Sequence, residues 1–131
     1  MILCERPPDR RQALAREGER AAELALRRAG LTVLERRFRV RLGEIDLIAR
    51  KGELLVFVEV KTRRGTGYGP PAHAVTAVKR RRMARVAEVY LQRRGRTTSP
   101  CRFDVVEVFA GPRGIERIEH IEDAFRLWPT G

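Results

Sequence analysis

The sequence predicts an α/β protein with a mixed central sheet flanked by helices. The chain opens with an apolar pattern at helical spacing, continues with three short strand-like segments, and then places a second amphipathic stretch before another apolar segment. At 131 residues it has the length of one domain. We therefore expect 1–131 to form a single domain, with disordered tails at 1–9 and 127–131.

The first half of the chain predicts a helix followed by a three-strand meander. Small and apolar residues recur at helical spacing from about Arg10 to Ala29, and Gly30 supplies a stop. The strands are RFRVRL (37–42), EIDLIA (44–49) and ELLVFVEVK (53–61). In the first of them Phe38, Val40 and Leu42 alternate with arginines, so its solvated face would be a stripe of Arg37, Arg39 and Arg41.

The second half predicts a helical crossover to a further strand. The glycine- and proline-rich stretch RRGTGYGPPAH (63–73) reads as a loop, and a second helix is expected from about Ala72 to Arg94. The segment CRFDVVEVF (101–109) would then lie parallel to the third strand. GIERIEHI (114–121) can add an edge strand.

Basic residues are concentrated in the middle of the chain. Residues 36–96 hold seventeen basic and five acidic side chains, whereas the whole chain carries a net charge of +11. Such a density of arginine and lysine attracts polyanions, so nucleic acid is the partner class that the charge favours. The alternative is a soluble, arginine-rich surface with no polyanionic partner.

Cysteine usage and hydropathy favour a cytoplasmic protein without a membrane anchor. The two cysteines, Cys4 and Cys101, have neither metal-ligand nor redox spacing, and two reduced thiols are expected. No apolar run reaches the roughly 18 residues of a membrane span.

Two charged residues in the most apolar strand indicate a chemical site. Glu59 and Lys61 are two residues apart, so both side chains point to the same face of the strand. If Lys51 and Gly52 form a two-residue hairpin turn, Asp46 lies opposite Phe57 and diagonally across from Glu59. Diagonal neighbours are about 7 to 8 Å apart, which lets two carboxylates share one divalent cation.

Phosphodiester hydrolysis is the chemistry that these residue types suit. Carboxylate-held Mg²⁺, or Mn²⁺ in its place, makes a water more acidic and neutralises an anionic transition state. Asp46 and Glu59 would hold the metal, with the backbone carbonyl of Val60 as another oxygen ligand. Lys61 would orient or help deprotonate the attacking water. The alternative is a salt-bridged pair on an exposed sheet face.

The order of several motifs resembles a known family over nearly the whole chain. Asp46, Glu59 and Lys61 form the D…(D/E)-x-K pattern of the PD-(D/E)XK nucleases. GERAAELALRRAG (18–30), GEIDLIA (43–49), FVEVKTR (57–63), YGPPAHAVTAVKRRR (68–82) and RFDVVEV (102–108) stand in the same order as in the YraN-like family. That family is similar in fold to restriction endonucleases and archaeal Holliday junction resolvases, so the resemblance implies a restriction endonuclease-like core.

The resemblance also implies further site residues. A helix glutamate faces the strand acids in related nucleases, which makes Glu19 a third catalytic acid and metal ligand here. Lys79 matches a basic position of the family. It would either contact phosphate beside the site or be a solvated side chain. The family usually has Asn where this chain has Arg37. The other candidate contacts to a nucleic-acid backbone come from the charge pattern and are Arg37, Arg39, Arg41, Arg63, Arg64 and Arg80.

Two functional hypotheses follow. The first is a Mg²⁺-dependent endonuclease that acts on DNA, in branched or damaged structures by analogy with the resolvases, which cut as homodimers. The second is a nucleic-acid-binding protein that keeps the nuclease fold without useful turnover. Asp104 lies in a family motif and could equally anchor a strand end, and His73 and His120 are expected to be structural or solvent-facing.

Overall fold

The computed structural model describes residues 9–64 and 75–126, which form one mixed sheet between two helices. The elements are α1 Arg10–Arg28, β1 Thr32–Val40, β2 Gly43–Lys51, β3 Leu54–Arg64, α2 Ala77–Arg93, β4 Cys101–Gly111 and β5 Gly114–Phe125. The strands lie in sequence order; β3 and β4 are parallel, and the other neighbours are antiparallel. This confirms the predicted α/β fold and matches a restriction endonuclease-like core.

The two faces of the sheet bury separate apolar clusters, one under each helix. The α1 face packs Ala22 and Leu26 against Leu47, Val58 and neighbouring residues. On the α2 face, Met83, Val86 and Tyr90 of the helix pack against apolar residues of the strands. These strand residues include Ile45, Ile48, Phe57 and Phe103. Because β3 and β4 are buried on both faces, their sequences read as continuous apolar runs.

Each helix begins at a capping side chain. Asp9 accepts a hydrogen bond from the backbone N–H of Gln12 at 2.8 Å and forms a capping box with it. Thr76 caps α2 by accepting from Lys79 N at 3.2 Å. The predicted start of the second helix at Ala72, most of the glycine-rich loop, His73, Cys4 and the predicted tails except Asp9 lie outside the described residues. Neither described helix is both long and apolar enough to cross a membrane.

The predicted arginine stripe on β1 is confirmed as exposed, but the strand is irregular just before it. The three arginines of the stripe are exposed, and the intervening Phe38 and Val40 pack against the apolar cluster under α2. Arg37 has a φ of 52°, so the regular alternation is broken between Arg36 and Arg37, and both side chains form ion pairs with α1. The strand ends at Val40, and Leu42, expected to be buried, is 48% exposed beyond it. Asn adopts a positive φ more readily than Arg does, so the Asn that the resemblance implies at position 37 would suit this backbone.

The predicted hairpin register is also wrong. The last pair of the β2–β3 hairpin is Lys51 with Leu54, so the turn residues are Gly52 and Glu53 instead of Lys51 and Gly52. Gly52 adopts a φ of 60°, which suits glycine in a tight turn. Phe57 consequently pairs with Ile48 and not with Asp46. The shift is two residues, so β3 and the part of β2 from Leu47 onward keep their predicted faces, whereas the irregularity at Asp46 places Ile45 on the same face as Ile48.

Gly18 permits a close approach of α1 to β3. A methyl group added to this buried glycine would lie 2.0 Å from Thr62 Oγ1. A glycine inside a helix costs about 1 kcal/mol relative to alanine. The close contact between α1 and β3 explains why a glycine occupies this position despite its cost.

We expect Gly18→Ala to lower the free energy of unfolding by about 1–3 kcal/mol, because the overlap outweighs the gain in helix propensity. Urea denaturation measures the effect. Adding Thr62→Ala should restore part of the loss, since it removes the nearest atom. A single variant as stable as the parent would show that α1 does not approach the sheet this closely.

Candidate metal centre

Asp46 lies where the hydrogen-bonded ladders on both sides of β2 are interrupted. Pairing with β1 passes from Arg36↔Leu47 to Phe38↔Ile45 and skips Asp46, and pairing with β3 ends at Leu47↔Val58. The side chain compensates for the lost pairing: Asp46 Oδ2 accepts a hydrogen bond of 2.8 Å from the backbone N–H of Val60. This contact directs the Asp46 carboxyl group toward β3.

The carboxyl groups of Asp46 and Glu59 are adjacent and within hydrogen-bonding range. Burial and the charge of Glu59 raise the pKa of Asp46 to about 8, against the opposing effect of the Val60 N–H; the more distant Glu19 adds a smaller increase. Glu59 is only 4% exposed. The structure thus brings these two acids together, although through a register different from the predicted one.

Glu59 and Glu19, the two acids whose charges act on Asp46, each have a cationic partner. Glu59 forms an ion pair with Lys79, which reaches across from the first turn of α2. Glu19 on α1 accepts a hydrogen bond from Arg37 Nε at 2.9 Å, and its side chain is 24% exposed. Within residues 9–64 and 75–126, no three acidic, histidine or cysteine side chains stand in metal-binding geometry. Glu19 thus faces Arg37 in this arrangement, and its part in a three-acid cluster with Asp46 and Glu59 stays a prediction.

Lys61 has a buried acidic neighbour that the sequence reasoning missed. In the parallel β3–β4 register Lys61 lies beside Glu107, which is fully buried. Burial raises the pKa of Glu107, while the positive charges of Arg63 and Lys61 lower it. Arg63 forms an ion pair with this carboxylate. A glutamate inside the apolar run VVEVF indicates a buried charge, but only the β3–β4 register shows that Lys61 lies beside it.

Most of the side chains predicted to contact a nucleic-acid backbone form ion pairs or hydrogen bonds within the protein. Arg37 binds Glu19, Arg39 binds Glu44 at 3.2 Å, and Lys79 binds Glu59. Arg80 donates to the carbonyl of Val75 at 2.9 Å and lies over the ring of Phe125. Arg63 is paired with Glu107, as above, whereas Arg41 and Arg64 make no hydrogen bond or ion pair with a described residue.

Asp104 anchors the far edge of the sheet. Its buried carboxylate accepts hydrogen bonds from Arg102 Nε at 2.9 Å and from the Asp123 N–H at 2.9 Å. His120 Nε2 lies 2.7 Å from the other oxygen. These contacts bridge the irregularity between Phe103 and Val105 in the β4–β5 ladder. Asp104 is thus a structural anchor of β5, and His120 is part of the same buried network.

We expect Asp46→Asn to stabilise the metal-free protein. A carboxyl pKa raised from 3.8 to about 8 penalises the folded state increasingly as pH rises between these values. The amide removes this penalty and can donate to Glu59, so the gain in unfolding free energy should grow from near zero at pH 4 to roughly 2 kcal/mol at pH 8. Thermal unfolding with a chelator present, across this pH range, measures it.

Glu44→Gln is the matched control, because Glu44 lies two residues away in a surface ion pair with Arg39. Its effect should be small at every pH. A loss of stability in Asp46→Asn that grows with pH would contradict the description of Asp46 as a carboxyl group held in its protonated form.

Asp104→Asn is expected to destabilise the protein, in contrast to Asp46→Asn. This change leaves Arg102 without its buried counter-charge, and it should lower the free energy of unfolding by about 2–4 kcal/mol while leaving metal affinity unchanged. Urea denaturation and calorimetric metal titration test the two parts. Asp123→Asn is the control, since that exposed carboxylate bonds only Arg126 among the described side chains. Loss of metal binding in Asp104→Asn would place this acid in the metal centre instead.

Comparisons with known proteins agree with the motif resemblance. The profile of a family described as "Uncharacterised protein family UPF0102" matches residues 18–108. A UPF0102 protein of Symbiobacterium thermophilum is 56% identical over 108 residues, which cover 82% of this chain and 92% of that protein. A relative from Rhodococcus jostii is 50% identical over 113 residues, covering 86% and 96%, respectively. The chain therefore belongs to the UPF0102, or YraN-like, family.

Proposed function

We propose that the protein is a metal-dependent endonuclease that hydrolyses phosphodiester bonds of DNA, in branched or damaged structures. The observation that carries this proposal is the carboxyl pair of half-buried Asp46 and buried Glu59, with Lys61 two residues along β3. Two adjacent carboxyls that are largely removed from water are unfavourable unless a proton or a cation lies between them. A functional site is the simplest reason to keep both.

The donor set of this pair fits Mg²⁺, or Mn²⁺ in its place. Magnesium is usually bound through one or two carboxylates, with waters and substrate phosphate oxygens completing the coordination. Asp46 and Glu59 would hold the ion, and the Val60 carbonyl and Glu19 are the further oxygen donors that the sequence predicts. A bound divalent cation would acidify the attacking water and neutralise charge on the phosphate.

The chain's own residues perform the remaining tasks in this proposal. Lys61, half-buried beside the pair, positions or deprotonates the attacking water and offsets phosphate charge. Glu107 and Arg63 fix its electrostatic surroundings. Lys79, paired with Glu59, is close enough to transfer to an incoming phosphate. A cut in both strands of a branched DNA would require two copies of the protein.

A second function is favoured by the cations already bound to the site acids. Lys79 and Arg37 neutralise Glu59 and Glu19 without any metal. An arrangement of this kind also suits a nucleic-acid-binding protein that retains the fold and has little turnover. The two functions differ in what Asp46 does: it is essential for cleavage in the first and dispensable for binding in the second.

The experiment compares the parent chain with Asp46→Asn and the control Glu44→Gln in two assays. Calorimetric titration with Mg²⁺ and Mn²⁺ should show one site in the parent and in the control, and none in Asp46→Asn. Cleavage of branched and nicked DNA should fall by at least about 100-fold in Asp46→Asn, as expected when a metal ligand is lost.

A parent that binds metal and cleaves no DNA, while Asp46→Asn binds the same DNA equally well or more tightly, would favour the binding protein. A parent that binds no metal with or without a non-cleavable DNA would overturn the metal centre itself.

A further inference from the structure

A second basic surface lies beside the metal centre, and the predicted backbone contacts did not include it. It is an open depression of about 250 Å³ between the β1–β2 turn and the exposed side of α2. We call it the α2 patch, and its lining residues are Leu42, Val78, Arg81, Arg82 and Arg85.

The arginines of the α2 patch have no partner among the residues that the structure describes. Arg81, Arg82 and Arg85 are exposed or line the depression, and none makes a hydrogen bond, ion pair or ring contact within the described parts of the chain. Arg41, next to Leu42, is likewise unpaired there. By contrast, Arg36, Arg37 and Arg63 each bind a glutamate. Uncompensated cations this close together repel one another, and a polyanion relieves that repulsion.

Two apolar side chains lie among these arginines. Leu42 is 48% exposed and Val78 is 57% exposed, and they are two of the four large apolar side chains that are exposed in the described part of the chain. Both line the same depression. A phosphate backbone needs only the arginines, and the two aliphatic side chains add an apolar contact of the kind that aliphatic side chains such as Leu make with an unstacked base.

The α2 patch adjoins the candidate metal centre. Gly43 begins β2, and a methyl group added to it would lie 2.9 Å from Arg82 Cδ, so Arg82 covers the start of the strand. Asp46 is three residues further along, about 10 Å in an extended strand. On α2, Lys79 pairs with Glu59 and lies one turn before Arg82. A strand bound at the α2 patch could therefore reach the carboxyl pair within a few nucleotides.

We propose that the α2 patch binds an unpaired nucleotide of the nucleic-acid substrate, with the base on Leu42 and Val78 and the neighbouring phosphates on Arg81, Arg82 and Arg85. A base in a duplex is stacked on both sides and does not present its face to Leu42 and Val78, whereas an unpaired base does. The inference rests on the proposed function in taking the polyanion to be nucleic acid. It adds that single-stranded or unpaired segments are preferred over continuous duplex.

Binding without metal tests this inference separately from catalysis. Fluorescence anisotropy in the presence of a chelator would use a labelled 12-nucleotide oligo-dT and a 12-base-pair duplex. Leu42→Ser with Val78→Ser should weaken binding of the single strand by about 3- to 10-fold and leave duplex binding unchanged.

Arg82→Gln with Arg85→Gln should weaken single-strand binding by about 10-fold or more and reduce the slope of log affinity against log salt by roughly 1.4. The matched control is Arg28→Gln with Arg113→Gln, which removes the same charge from exposed residues outside the α2 patch and should have a smaller effect. Thermal unfolding should be nearly unchanged in all three double variants, because the substituted side chains are at the surface.

The possible outcomes separate this inference from the proposed function. If the parent binds and cleaves nucleic acid while the α2-patch variants bind like the control, the inference fails and the function stands. If the parent binds the duplex as tightly as the single strand, or binds neither, the inference fails, and the cleavage assay still decides the proposed function. If Leu42→Ser with Val78→Ser converts a dimer to a monomer in sedimentation and leaves oligonucleotide binding unchanged, the patch binds a second copy of the chain and the inference is wrong.

Discussion

The hydrogen bond from the Val60 N–H to the Asp46 carboxyl is the contact on which the candidate centre depends. It replaces the strand pairing that stops at Leu47↔Val58, and it fixes the half-buried Asp46 carboxyl beside Glu59. A buried N–H without an acceptor would cost about 1–3 kcal/mol. The same contact thus satisfies the backbone and holds two acids together. The crowding of these acids, which raises the pKa of Asp46, is compatible with folding because the surrounding sheet and α2 are firmly packed.

Charge compensation organises much of the basic surplus around this centre. On the α2 face of the sheet, Glu59 is paired with Lys79 and Glu107 with Arg63; on the α1 face, Glu19 is paired with Arg37. Several cations that a count of charges would assign to ligand binding therefore already form ion pairs within the protein. The arginines without a hydrogen bond, ion pair or ring contact to a described residue are more informative about binding. Four of them, Arg41 and the three of the α2 patch, lie beside the exposed Leu42 and Val78.

The periodicity of the sequence predicts the fold well because it reflects burial directly. The helical spacing of α1 and the two-sided apolar runs of β3 and β4 correctly predict a covered mixed sheet. Asp46 and Glu59 lie close together although the predicted turn is wrong, since a shift of two residues leaves the paired residues of β2 and β3 on their predicted faces. Periodicity could not reveal the positive φ of Arg37 or the partners of Glu107 and Asp104. Those features depend on tertiary register and on which cation lies nearest in the folded chain.

A divalent metal site formed by Asp46 and Glu59 can be tested by paramagnetic line broadening with substoichiometric Mn²⁺ in the amide spectrum of the protein, compared between the parent chain and Asp46→Asn. We expect the amides of Asp46, Glu59 and Val60 to broaden first in the parent, and we expect this selectivity to disappear in the variant. Broadening centred on other acids, such as Asp104 or Glu122, or identical spectra for both proteins, would contradict it.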